Sequence, residues 1–504
     1  MSPRADVEAR LQAFADHADA LALVHHDRRL SHGDLRDAVF RTAHALDDRG
    51  IRPGTIVVLL AGNEPEGIVA RYAVNLLGAG ITQPYAGLSA EARGRIVDDV
   101  DAAAVLVVPG HEDDADAVLE HSAPVRRILL DDALTADADA TPVECRAHAE
   151  DVEQIRHTGG TTGHPKGITY TFGHHLRMLE HAWRPSTADE PDEEPEEVRQ
   201  LVCTTVAHAA GGIADRTLSV GGAVVLLDGF DPGEVLATIE RERITDLWLL
   251  PPLLHRLLDH PDLNTTDLSS LRTVIYGGAP AVPARTAEAV RRIGRVFVQF
   301  YGQTEAGGIS VLTREEHDDE SLLGTVGRVL PTTELSVHGP DGAALPDGEP
   351  GELWVRTGME FDGYWKQPEL TAQTLDADGW MHTGDVGYVD DRGYLHVVDR
   401  LGDVVVVVGG HVHTPEVEHV LASHDDVREA AVFGAPDDDG SESVHAAVVV
   451  EPGTHPDPEA LTGLVVEKQG PMYAPEDVEF VDEMPLTDAG KVDKKALRRH
   501  LAPQ

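Results

Sequence analysis

The segment His157–Gly167, HTGGTTGHPKG, packs four glycines, three threonines and one lysine into eleven residues. Glycine lets backbone N–H groups turn toward an anion with no Cβ in the way. Threonine adds hydroxyl donors, and lysine adds a point charge. Thr158, Gly159, Gly160, Thr161, Thr162, Gly163 and Lys166 therefore read as a cradle for phosphate. A plain surface turn needs only one or two such residues. The order also excludes two common phosphate loops. G-x-x-x-x-G-K-[ST] needs Gly before Lys and a hydroxyl after it, whereas Lys166 is followed by Gly167 and Ile168. The glycine spacing does not fit G-x-G-x-x-G either. A P-loop NTPase and a Rossmann dehydrogenase are disfavoured.

Three further stretches carry chemistry. YGQTE, Tyr301–Glu305, follows the strand-like RVFVQF. It offers a flat ring, a glycine (Gly302) for close approach, the Thr304 hydroxyl and a carboxylate, Glu305, suited to a hard cation such as Mg2+. The end of a parallel strand is where α/β folds keep ligands. YGGAP, Tyr276–Pro280, places Gly277, Gly278, Ala279 and Pro280 in a tight strand-to-helix turn. Asp385, next to Gly384, is a carboxylate of the kind that chelates ribose hydroxyls. PLTDAGKVDKKALR near the end presents Lys491 after Gly490, ahead of a basic helix.

Together these motifs resemble the adenylate-forming (AMP-binding) superfamily of acyl-CoA synthetases, adenylation domains and luciferases. The first segment is similar to [Y/H]-[TS]-[SG]-G-[TS]-T-G-x-P-K-G and the second to Y-G-x-T-E. Gly351–Arg400 matches the long G-E-L-x-V…T-G-D…G-Y-L…R stretch, and the last motif matches P-x-x-x-x-G-K-[VI]-x-[KR]. They occur in family order across almost the whole chain. The resemblance implies that ATP and Mg2+ convert a small-molecule carboxylic acid to acyl-AMP with release of pyrophosphate. A thiol then displaces AMP, from CoA or from the phosphopantetheine of an acyl carrier protein. It implies Tyr301 and Gly302 on adenine with Gly278, Ala279 and Pro280, and Thr304 on the α-phosphate. Glu305 is implied on Mg2+, Asp385 on ribose, Arg400 on ribose or phosphate, and Lys491 as the adenylation lysine.

The acyl group is implied beside His208, Gly211, Gly212, Gly277, Gly307 and Gly308, whose small size leaves room for a bulky or long acid. Asp215 offers an alternative, a partner for the amine of an amino-acid substrate. The implied hinge is Asp403, and the Gly409, Gly410, His411 loop faces the thiol. Here the sequence departs from the family: Asp403 to Gly410 spans seven positions against the usual six, and Val stands where Lys is common. Reading the chain as a non-catalytic nucleotide binder conflicts with the presence of Lys491, Glu305 and Lys166.

The elements that must hold these residues are short apolar strands alternating with amphipathic helices, as in TIVVLLAG and PEGIVARYAVNLLGAG. That rhythm predicts an α/β fold with parallel sheets. From Thr325 short β segments dominate, predicting a small β-rich subdomain. From about Asp403 a compact α+β pattern begins. The expected division is a domain at 1–402 and a small mobile one at 403–504. The chain has 504 residues, 41% of them hydrophobic, and its longest pure apolar run is Val404–Val408, so no membrane helix is expected. A net charge of −47 argues against nucleic acid and anionic membrane as partners. Two cysteines, Cys145 and Cys203, fit a reducing cytoplasm. The 27 histidines show no linear metal-binding spacing. Composition does not set the oligomeric state; a homodimer is compatible with it.

Overall fold

Short all-apolar runs become strands buried on both faces. Ile56–Leu60 and Ala104–Val107 pair in parallel and carry no exposed side chain, as expected when helices cover both sides of a sheet. The computed structural model describes residues 5–158, 166–181, 197–401, 405–407, 410–436, 442–487 and 490–501. The chain divides into two compact units. The first comprises Met1–Trp248, His260–Val274 and Met359–Gln373; the second comprises Leu249–Asp259, Ile275–Gly358 and Thr374–Gln504.

One sheet of the first unit runs, in spatial order, Gly363–Tyr364, Lys166–Thr171, Val152–Thr158, Gly80–Thr82, Ile56–Leu60, Ala104–Val107 and Arg127–Leu129. The strands from Val152 outward are parallel, and Lys166–Thr171 turns back antiparallel. In a second run, Asp246–Leu249, Arg199–Val202, Ala223–Leu226 and Leu21–His25 are successive parallel neighbours, and Arg28–Ser31 closes an antiparallel hairpin. The helix His32–Asp48 starts where Ser31 and Asp34 cap each other's backbone N–H groups. Cys145 and Cys203 are both buried and form no disulfide, and burial pushes the Cys203 thiol up to about 12.

In the second unit, Phe297–Gln303 folds back on Gly307–Leu312, which pairs with Arg328–Val329. The expected β-rich subdomain is the antiparallel sheet Glu334–His338, Gly351–Arg356, Met381–Val389 and Leu395–Arg400. Leu353, Val355, Met381 and Leu395 seal its inner face against Ala306 and Ile309. The terminal α+β pattern is realised as the sheet Val427–Pro436, Glu442–Val450 and Asp477–Phe480 with helices Thr414–Ala422, Pro458–Gln469 and Lys494–Leu501. Val417, Leu421, Val432, Val448 and Leu461 form its core. No helix among the described residues is long and apolar enough to cross a membrane.

Candidate active site

In the second unit the expected nucleotide residues converge on one carboxylate. Asp385 and Arg400 lie directly opposite each other in neighbouring strands. Arg400 Nε donates to Asp385 Oδ1 at 2.9 Å. The Tyr301 hydroxyl and Gln303 Nε2 both donate to Oδ2, each at 2.6 Å. Gln303 also reaches the Thr383 carbonyl at 2.9 Å. The sequence reading passed over Gln303, the variable position of YGQTE; nothing in the motif marks it. Asp385 is buried, whereas the Arg400 side chain is 60% exposed. Burial pushes the Tyr301 phenol well above its ordinary range, and the Asp385 charge adds to the effect.

YGQTE does not follow the strand, as the sequence suggested, but begins inside it. The strand runs on to Gln303 because its partner Gly307–Leu312 keeps pairing, with a register shift between Tyr301 and Gly302. The Ala306 N–H reaches the Gln303 carbonyl at 3.2 Å, so Thr304 and Glu305 form the tip of the turn. Any Cβ on Gly302 would lie 2.2 Å from the Gly307 carbonyl oxygen. Gly308 is likewise packed on the Phe300 ring, where a larger side chain would not fit. Gly277 ends the strand Thr273–Gly277, and Gly278, at φ 77°, opens the turn through Ala279 and Pro280 to the helix Pro283–Ile293.

Lys491 enters the same neighbourhood. Its loop closes through Thr487 N–H to the Lys491 carbonyl at 2.6 Å and Gly490 N–H to the Thr487 carbonyl at 2.7 Å. Gly490, at φ 77°, lies where an added Cβ would meet Leu250 and Leu253. The Lys491 side chain keeps access to solvent, yet surrounding protein lowers its ammonium pKa. Desolvation is the main cause and Arg400 adds to it, while Asp385 and Glu305 pull the other way. One ammonium thus feels Arg400, Asp385 and Glu305 together. Glu305 is a half-buried hard oxygen ligand in that field, which fits Mg2+.

In the first unit Thr158 and Lys166 face each other at the base of a hairpin. Gly159, Gly160, Thr161, Thr162 and Gly163 lie outside the described residues, as do Asp403 and Gly409. Lys166 Nζ sits 5.4 Å from the Tyr364 ring centre. His157 is buried against the Thr82 hydroxyl at 3.0 Å, and burial lowers its pKa to about 4, so it is neutral. Gly410 and His411 belong to the strand Gly410–Val412, paired with Val405–Val407.

His208 sits just before the helix Ala209–Ser219 and stacks on Tyr85, with ring centres 4.3 Å apart and planes 5° apart. Its segment is pinned by a residue the sequence reading missed. Buried Asn63 donates to the Thr204 and Leu227 carbonyls at 3.0 and 2.7 Å and accepts from Val206 N–H at 3.0 Å. Gly212 faces open space, but a Cβ on Gly211 would strike the Val206 carbonyl. Gly211 is therefore a packing glycine.

Asp215 is closed to any substrate amine. Arg71 grips it with two bonds at 2.6 and 2.5 Å, and the Tyr72 hydroxyl adds a third at 2.5 Å. Arg10 lies 3.6 Å away and also pairs with Asp6. Burial pushes the Asp215 carboxyl up, but Arg10 and Arg71 overcome it and hold the pKa far below the usual range. Close by, burial and the Asp6 charge raise the Glu153 pKa well above the carboxylate range.

This constellation of motif residues is matched along the chain. The family described as AMP-binding enzyme matches residues 11–365, and the AMP-binding enzyme C-terminal domain matches residues 416–491. The chain belongs to the AMP-binding enzyme family. The amide bond synthetase McbA of Marinactinospora thermotolerans is 39% identical, with a TM-score of 0.88 over 98% of this chain and 100% of that one. Medium/long-chain-fatty-acid–CoA ligase FadD8 of Mycobacterium tuberculosis is 34% identical over 99% of this chain and 90% of its own. Feruloyl-CoA synthase of Amycolatopsis is 34% identical over 95% and 96%. This AMP-binding enzyme is an AMP-forming ligase of the acid–thiol type. It uses ATP and Mg2+ to activate a carboxylic acid through acyl-AMP.

Proposed function

We propose that the second unit binds the adenylate and supplies the catalytic cation. The carrying observation is the convergence of Arg400, Tyr301 and Gln303 on buried Asp385, with Lys491 within electrostatic reach of Arg400, Asp385 and Glu305. In this reading Asp385 and Gln303 take the ribose hydroxyls, and Tyr301 with the Gly278–Pro280 turn takes adenine. Thr304 and Lys491 hold the α-phosphate as the carboxylate attacks, and Lys491 offsets the charge that builds there. Mg2+, when bound at Glu305, supplies neutralisation of the phosphate charge. Lys166 and the loop it closes steady the departing phosphates. Residues 403–504 act as the module that delivers Lys491, with Asp403 as its hinge.

The acid is an aromatic or extended one, supported by the flat Tyr85–His208 pair and the open space at Gly212. The acceptor is a thiol, that of CoA or of a carrier-protein pantetheine, and the setting is cytoplasmic. An amine is a second acceptor. That reading rests on the 39% identity with an amide bond synthetase over essentially the full chain. It also fits the altered spacing after Arg400. Pyrophosphate exchange across a panel of carboxylic acids tests the first step, followed by mass spectrometry of reactions offered CoA, a carrier protein or simple amines. No exchange with any aromatic or long-chain acid would sink the substrate reading, and amide without thioester would reverse the order of acceptors.

A further inference from the structure

The parallel strands Leu21–His25 and Ala223–Leu226 are neighbours, with His25 in register with Leu226. Both end at the same edge of their sheet. Asp228 therefore emerges two residues beyond the partner of His25, and the hairpin turn adds His26 beside it. His26 holds φ 52°, a left-handed conformation that places its ring next to that of His25, 4.3 Å away. His25 Nε2 lies 2.7 Å from Asp228 Oδ1, and His26 Nε2 lies 3.1 Å from Oδ2. The three ligand-type atoms all fall within 4.8 Å of one another.

We propose that His25, His26 and Asp228 form a site for a divalent transition-metal ion of the Zn2+ class, separate from the Mg2+ of the ATP reaction. Two imidazoles aimed at the two oxygens of one carboxylate make a mixed nitrogen and oxygen donor set, which such ions prefer and Mg2+ does not. Ligands at about 2.1 Å from an ion stand about 3.0 Å apart at right angles and about 3.4 Å apart in a tetrahedron. The observed 2.7 and 3.1 Å bracket the first value, and the remaining separation, within 4.8 Å, closes as the two rings turn toward a shared ion. It would take the place of the protons now shared along these two hydrogen bonds. His25 is buried while His26 and Asp228 are more than half exposed, leaving one side open for water ligands and for entry. The nearby Arg28 guanidinium is drawn off to Glu66 at 2.7 Å. Linear spacing hides the site, because Asp228 is 202 residues from His26.

The test uses the full chain without a polyhistidine tag, stripped with chelator. Titration calorimetry with Zn2+ should show one site of micromolar or tighter affinity, with no comparable heat from Mg2+. His26→Ala and Asp228→Asn should each weaken it by about tenfold or more. Both positions are exposed, and an unchanged melting temperature without metal confirms that the variants fold. Zn2+ should raise the melting temperature of the wild type only. With Cu2+, electron paramagnetic resonance should show two imidazole nitrogens in the wild type and one in His26→Ala. Equal Zn2+ affinity in wild type and variants, or no micromolar site in the wild type, overturns the proposal.

Discussion

Each unit contains a buried aspartate bound by an arginine and a tyrosine hydroxyl, and the two clusters have opposite purposes. Asp215 in the first unit is held by Arg71, Arg10 and Tyr72, with every partner largely closed to solvent. Asp385 in the second is held by Arg400, Tyr301 and Gln303, but its arginine is 60% exposed and Lys491 stands close by. The same residue types thus make a sealed knot in one place and an open socket in the other. What separates them is whether the cations retain access to water, and hence to a ligand. A sealed ion pair fixes the fold, and breaking it strands a charge. An open one leaves donors for an incoming anion.

The sharpest way to break this comparison is Asp215→Asn. It leaves Arg71 without its carboxylate and Arg10 with Asp6 alone, and should cost about 3–5 kcal/mol of stability, read by denaturant unfolding. A loss under about 1 kcal/mol would mean the knot is not sealed. Lys491→Ala on the open side should keep its melting temperature yet slow pyrophosphate exchange by about 10²–10³-fold. Exchange at the wild-type rate would remove Lys491 from the chemistry.

Asp385→Asn should raise the KM for ATP by roughly tenfold, in line with the loss of a charged hydrogen-bonding group, with little change in stability. Asp385 also helps keep Lys491 protonated. Its neutralisation should move the alkaline limb of the exchange rate to lower pH; an unmoved limb would separate the two residues.

The smallest effect concerns Glu153. Its carboxyl, on the strand Val152–Thr158, lies among Asp6 and Arg10 of the helix Asp6–Asp16 and Arg71 of Pro65–Leu76, and 3.1 Å from His175 of Phe172–His181. Its folded pKa is raised, so the native state binds a proton that the unfolded chain releases. That stability is complete below the unfolded value near 4.3 and is lost as pH rises through the folded value. Glu153→Gln should match the wild type near pH 4 and melt a few degrees higher at pH 8. Parallel melting curves for the two proteins across that range would refute it.

Legibility in the sequence followed contact distance along the chain. The Asp385–Arg400 pair sits inside one continuous motif, and adjacent antiparallel strands bring the two face to face. The alternation of strands and helices, the β-rich subdomain and the terminal α+β fold were all readable from apolar periodicity. Asp215 was misjudged as open because its partners Arg71 and Tyr72 are 144 and 143 residues away, and nothing in GGIAD marks them. Asn63 escaped for the same reason, since the segment it pins begins 141 residues later. Gly211 and Gly308 looked like spare volume because sequence reports a missing side chain but not the atoms that fill its place.

The two buried cysteines carry a practical consequence. Both thiols are buried, and burial pushes that of Cys203 up to about 12, so both are shielded from reagents in the folded protein. The native protein is therefore nearly silent to maleimide reagents as it stands. A single cysteine introduced on an exposed position of the Lys491-bearing segment, such as Glu483, becomes the one reactive handle. A fluorophore placed there tests whether that segment moves during turnover, with no native residue replaced to clear the background.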